Sequence, residues 1–272
     1  MKANLFTLFF IVFISAKSQS KYDFPVELPV YLSGSFAELR PNHFHSGIDI
    51  KTRGKTGYKI FSFEDGYIQR IQITLGGNGK ALYIKHDNGQ SSVYAHLEKF
   101  SPRIQKIVKE IQYSEKKFEI RLFPKKNQYR IKKKELIAFS GNTGRSTGPH
   151  LHYEIRDKND YPINPLTFKK ERLGDTIPPI IKSLFYKQLF RNDEGLHENS
   201  EIGFKKLNFK KIKEKYISDT LKVSGIIGFG IDSFDKMNFT NNIMGINEIE
   251  TFLNNDKIFN MDFNKFSFNE WR

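Results

Sequence analysis

Three short segments of this chain bring histidine together with carboxylate or glycine at spacings that suit metal chemistry. The first is His45-Ser46-Gly47-Ile48-Asp49. In an extended chain, side chains at i, i+2 and i+4 share a face. His45 and Asp49 then flank Gly47, whose missing side chain leaves room for an ion. One imidazole and one carboxylate are two good ligands for a borderline cation such as zinc. The second segment is His150-Leu151-His152, where the same rule puts both imidazoles on one side and Leu151 toward a core. The loop ahead of it, residues 140–149, lacks the Gly-Lys-Ser/Thr ending of a phosphate cradle. The third, Tyr94-Ala95-His96-Leu97, carries a histidine near the end of a strand. A lone strand-end histidine is ordinarily a surface or satisfied core residue, and that is the reading of His86 and His197. His43-Phe44-His45 is itself an i, i+2 pair, so spacing leaves open which of the two partners Asp49. The combination carries more weight. Histidines are seven of 272 residues, and these three segments hold His43, His45, His96, His150 and His152.

The elements that must position these residues read as short strands. Residues 67–73 are strand-like, and 81–86 and 91–97 flank Asp87-Asn88-Gly89, a strong hairpin signal. Residues 135–140 and 151–156 are two more apolar-rich strands. Between 99 and 134 the character changes, with Lys and Arg far outnumbering Glu. There Ile104, Ile107, Val108 and Ile111 are spaced for a short helix. This stretch reads as a solvated insertion or, more sharply, as a surface for anionic wall polymer or a membrane. Asp175-Thr176-Ile177-Pro178-Pro179 has the paired prolines of a linker. Beyond it, residues 180–186, 221–231, 245–253 and 257–266 are β-type runs. The expected fold is all-β: one β-sheet domain over 19–174, with its basic insertion at 99–134, then an Ig-like β-sandwich over 175–272. The sequence stops soon after a strand-like run, the pattern of an incomplete sandwich.

Composition narrows the chemistry further. The chain has no cysteine, which excludes disulfide frameworks, thiolate-bound zinc and thiol catalysis. Any metal must be held by His and carboxylates. Met1-Lys2-Ala3-Asn4, an apolar run over 5–16 and Ala16-Lys17-Ser18 make a signal peptide over residues 1–18. That run is short of the ~20 residues a membrane span needs. The expected location is therefore periplasmic or extracellular. The formal charge is +14, which favours an anionic partner; for an exported protein that points to cell-wall polymer or lipid headgroups, not nucleic acid.

The three segments, in this order, resemble the lysostaphin/LytM-type zinc metallopeptidases, the murein endopeptidases. The resemblance runs from about His43 to Pro165 and is tightest at residues 45–49, 94–97 and 141–156. Residues 140–154, SGNTGRSTGPHLHYE, stand close to that family's signature throughout. The resemblance implies a lysostaphin-type β-sheet peptidase domain with Zn2+ on His45, Asp49 and His152, which decides between His43 and His45. It gives catalytic roles to the unligated His96 and His150, with peptide bridges of peptidoglycan as substrate. The alternative it carries is a non-enzymatic LytM-like wall-binding module or amidase activator. The stretch 99–134 is longer than the family's usual connection, and Lys132-Lys133-Lys134-Glu135 lacks a glycine common there.

Overall fold

A computed structural model describes residues 24–168, 173, 175–192, 195–198 and 203–269. The signal peptide expected over 1–18 lies outside the described residues. No described helix is long and apolar enough to cross a membrane.

The first strands are β1 (Leu32–Gly34), β2 (Leu39–Arg40), β3 (His43–Phe44), β4 (Ile48–Lys51) and β5 (Lys59–Phe61). Then come β6 (Gly66–Ile73), β7 (Lys80–His86), β8 (Ser91–Ala95), β9 (Lys99–Phe100) and α1 (Pro102–Glu115). After the helix follow β10 (Ile120–Leu122), β11 (Arg130–Ile131), β12 (Leu136–Phe139), β13 (His150–Arg156) and β14 (Pro162–Ile163). One nine-stranded sheet runs β1-β4-β13-β8-β7-β6-β10, with β11 also on β6 and β14 on β13. β5, β12 and β9 make a second, smaller sheet. The protein is mainly β, as its aromatic and β-branched runs require.

Alternation along the central strands separates two faces. Ile48, Ile50, Ile68, Ile71, Leu82, Ile84, Tyr94, Leu151, Tyr153 and Ile155 are buried in one core. Their neighbours in sequence, among them Asp49, His152 and Glu154, point to the other face. Both faces are populated because β4, β8 and β13 are nearly wholly buried.

The basic stretch 99–134 is more than a solvated insertion. Its helix forms, starting with Pro102 at the first turn, and lays Ile104 and Val108 into the core. Ile120 on β10 and Ile131 on β11 are also buried there, each paired to β6. The lysines stay outside, and the apolar residues between them add two strands to the sheet.

Past the proline pair, β15 (Ile180–Asn192) is the long strand of a four-stranded antiparallel sheet. It pairs with β16 (Gly195–Glu198), β17 (Lys205–Leu207) and, after the hairpin β18 (Phe209–Ile212)–β19 (Lys215–Ser218), with β20 (Ile226–Phe234). A last hairpin joins β21 (Glu248–Leu253) to β22 (Asp256–Asp262). A sandwich needs two sheets facing one another over a shared core; what the described residues give is one sheet and two hairpins. His197 falls on β16, and its side chain lies outside the described ones. The boundary expected at 174/175 is crossed by contacts. Met237 and Met244 belong to the core of the first sheet, and Phe36 meets Phe266 with ring centroids 5.2 Å apart. Lys51 Nζ donates to Asn242 Oδ1 (2.7 Å) and the Gly245 amide to Ser35 Oγ (2.9 Å). Truncating a buried methionine removes its packing and leaves a void, at a cost of about 2–5 kcal/mol. Met237→Ala is thus expected to lower urea stability by that amount while unfolding stays a single transition. A first sheet that melts unchanged in this variant would make the C-terminal region a separate unit.

Candidate metal centre

Strand pairing assembles the site. β13 lies between β4 and β8, with His152 opposite Asp49 on one side and Ala95 on the other. His45 comes from the turn just before β4, and His96 from the residue just after β8. The sequence reading extended both strands too far. Residues 45–47 are not strand, and His96 takes the left-handed backbone conformation at φ +56°, uncommon for a residue with a side chain. Gly47 also has a different reason from the one spacing implied. A Cβ there would stand 2.4 Å from the Tyr153 carbonyl oxygen, so the glycine lets β13 pass and does not make room for an ion.

His45, Asp49 and His152 are all buried and offer ligand atoms within 4.8 Å of one another. His45 Nδ1 donates to the Ser35 carbonyl (2.7 Å), which turns its Nε2 toward the cluster. His152 Nε2 donates to Glu154 Oε1 (2.9 Å), which turns its Nδ1 toward the cluster. These two nitrogens face each other at 3.0 Å, with Asp49 Oδ1 at 3.2 Å from the first and 3.0 Å from the second. With all three lone pairs turned inward, atoms so close repel unless a metal ion or a proton sits among them. Tetrahedral ligands at about 2.0–2.1 Å from an ion stand roughly 3.3 Å apart, so the donor set fits a small divalent metal. Lacking an ion, a proton does the same work. Burial disfavours charge on His152, but its hydrogen bonds to Asp49 and Glu154 prevail and push its pKa up to about 9. Burial likewise opposes ionisation of Asp49, yet the neighbouring His45 and His152 hold it well below the usual carboxylate range. His43 bonds instead to Asn42 Oδ1 (2.7 Å) and stays out of the cluster.

A second layer of contacts fixes these three side chains. Glu154 Oε1 also accepts from Ser46 Oγ (2.8 Å), and Oε2 accepts from Arg156 Nε (2.7 Å). Burial would raise the Glu154 pKa, but Arg156, His152 and Ser46 hold it far down; it is a fixed carboxylate and no proton shuttle. Asp49 Oδ2 accepts from an Arg40 guanidinium nitrogen (3.0 Å), and Glu38 braces the same nitrogen at 2.6 Å. Sequence reading missed Arg40 and Ser35, because neither lies at a ligand spacing from the histidines. Partners that orient metal ligands are typically worth 10–100-fold in affinity. Glu154→Gln, which keeps the shape and loses the charge, is expected to weaken metal binding about 10-fold or more in chelator competition. Parental affinity in this variant would reduce Glu154 to packing.

The remaining two histidines stand beside the cluster. The His96 and His150 rings are 4.8 Å apart, and His96 is 5.9 Å from His152. His96 Nδ1 donates to the Thr143 carbonyl (2.8 Å), and His150 Nδ1 to the Gly148 carbonyl (2.8 Å). The glycine-rich loop therefore does not cradle phosphate; it supplies carbonyls that set histidine tautomers. It is anchored by Gly144 at φ +76°, where a Cβ would be 2.3 Å from the Gly79 nitrogen. Burial first, then the neighbouring His152 and His150, push the His96 pKa down to about 4. Burial also lowers His150, although Asp49 works against it. Both are neutral at pH 7, with Nε2 able to accept a proton. His86 is a core residue as expected, bonded to Ser92 Oγ (2.8 Å).

Residues 43–113 and 119–165 match the profile of Peptidase family M23. Over 156 residues the chain is 34% identical to the DD-carboxypeptidase/endopeptidase Mpg of Neisseria meningitidis, covering 55% of this chain and 30% of that protein. It is 30% identical over 144 residues to the peptidoglycan DD-endopeptidase ShyB of Vibrio cholerae, covering 53% and 26%. Identity to the murein hydrolase activator NlpD of Escherichia coli is 30% over 128 residues, covering 47% and 27%. The chain thus spans less than a third of the length of these curated relatives. A crystal structure of a zinc containing peptidase from Vibrio cholerae shares 26% identity, covering 52% of this chain and 38% of its own, with a TM-score of 0.39. Between residues 43 and 165, less than half of its length, this chain is thus similar to Peptidase family M23.

Proposed function

We propose that this chain is a zinc metalloendopeptidase that hydrolyses peptide cross-links of bacterial peptidoglycan outside the cytoplasm. The observation that carries the reading is the meeting of His45 Nε2, Asp49 Oδ1 and His152 Nδ1, three atoms able to bind a metal within 3.0–3.2 Å of one another. Two histidines held neutral stand next to them. Zinc in such a place supplies Lewis acidity toward a carbonyl and toward water. The chain's own residues supply the proton traffic. With Nδ1 committed to a carbonyl, His96 or His150 takes a proton from water at Nε2, and the imidazolium so formed can pass that proton from Nε2 to the leaving amine, while the other ring orders the water or the substrate beside it. The DD-endopeptidases among the relatives support peptidoglycan as substrate. The lysines outside the sheet in 99–134 suit anionic wall polymer or a membrane surface.

Purified protein incubated with sacculi is expected to release muropeptides, to stop when a chelator removes metal, and to resume when zinc is returned. The match to NlpD favours a second reading, an activator of other wall hydrolases. An activator would release nothing alone, with or without zinc, and would stimulate an added amidase. All five histidine and aspartate positions are filled here, which supports the enzyme.

A further inference from the structure

The cluster shares its face of the sheet with a row of side chains that no hydrolytic step uses. Glu154 pairs with Val93, Val93 with Tyr83, and Tyr83 with Arg70. Directly paired residues point to one face, so Arg70 stands on the side that carries His152. Its guanidinium carbon lies 3.4 Å from the Tyr83 ring centroid and 5.9 Å from that of Phe123. A guanidinium held by its faces keeps its N–H edges for a bidentate partner. Arg156 has spent those edges on Glu154, at 2.7 Å and 2.6 Å. Arg70 has not: it is half-buried, and the carboxylate in its surroundings is that same Glu154, already engaged. A cation partly withdrawn from water is costly unless a counter-ion meets it. Arg121, paired to Gln72 at the sheet edge, puts a second positive charge on this face where no described acid neutralises it.

We infer that Arg70, seated on Tyr83, is a subsite for a free carboxylate of the peptide substrate. Tyr83 is two strands across from Glu154, and His152 lies two residues further along β13, so the ring stands about 12 Å from His152. An extended peptide covers that distance in about four residues, so the recognised carboxylate lies about four residues from the bond that is cut. The inference rests on the peptidase reading above.

The test uses two soluble cross-linked peptides, identical except that one free carboxylate is converted to its amide. Binding is measured by calorimetry on chelator-stripped protein, and cleavage on zinc-loaded protein. A charge-assisted bidentate contact predicts that the parent binds the acid about 10- to 100-fold more tightly than the amide. Arg70→Gln is expected to bind acid and amide alike, and Arg70→Lys, which keeps charge but not the fork, to fall between. A parent without preference for the acid at any carboxylate position overturns the subsite, as does an Arg70→Gln variant that keeps the preference. If Arg70→Gln fails to fold, Arg70→Lys decides, since full preference in that variant excludes a bidentate site. Because binding is read without turnover, a parent that prefers the acid but cuts neither peptide upholds the subsite and overturns the peptidase reading.

Discussion

His45→Ala, Asp49→Ala and His152→Ala are each expected to lose nearly all bound metal, from about one zinc per chain in the parent, the count for one three-ligand site. Each removes one of three atoms able to bind metal that meet within 3.0–3.2 Å, and two protein ligands rarely retain an ion against a chelator. The second-layer contacts make the losses hard to rescue. Asp49→Asn would set an amide NH2 against either the ion or the Arg40 guanidinium, which already donates to Oδ2. His152→Ala would strip Glu154 of its imidazole donor. His43→Ala is the control and is expected to keep its metal, because His43 bonds to Asn42. Elemental analysis after dialysis checks all four. A full site in His45→Ala and an empty one in His43→Ala would reverse the assignment. The same geometry gives the sign of the pH dependence. His152 holds a proton up to about pH 9 in the metal-free protein, so below that value metal must displace it. Uptake is expected to release protons and to weaken as pH falls.

What was legible in the sequence was the part governed by local periodicity. The i, i+2 rule placed His150 and His152 together and buried Leu151, because β13 is a regular strand. It also marked residues 67–73 and 81–86 within a residue of β6 and β7. What was not legible depends on pieces far apart in the chain. The role of Ser35 is a backbone carbonyl bonded to His45, and its own hydroxyl is held by Gly245, 210 positions away. Arg40 acts on Asp49 through a short two-strand turn with no ligand spacing. β10 and β11 are three and two residues long inside a lysine-rich stretch, so their pairing with β6 decides their state, not their propensity. The sandwich expectation came from counting β runs. Periodicity shows that strands exist, but whether two sheets face each other is settled by side chains on different runs. Met237 and Met244 packing into the first core is such a contact.

His96→Ala and His150→Ala are expected to keep their metal and lose peptidoglycan hydrolysis by a factor of about 10² to 10⁴, the usual worth of a positioned acid–base group. The separation follows from where each ring is tied. His45 Nε2 and His152 Nδ1 meet Asp49 Oδ1 at 3.2 Å and 3.0 Å, whereas His96 is fastened to Thr143 and His150 to Gly148, beside those three atoms. His150 is the more exposed to challenge, since its Nε2 is 3.6 Å from Asp49 Oδ1 and could be counted as a fourth ligand. Metal content decides this. A His150→Ala protein that loses zinc in step with activity would move His150 into the ligand set. A protein that holds zinc with kcat reduced and KM little changed would make it a proton carrier, because that pattern marks an interaction made in the transition state. The replacement His96→Gln sharpens the test for the other ring. Gln can fill part of the space and donate to the Thr143 carbonyl, but it cannot take up a proton. Substantial activity in His96→Gln would therefore reduce His96 to a hydrogen-bonding support and leave His150 as the base.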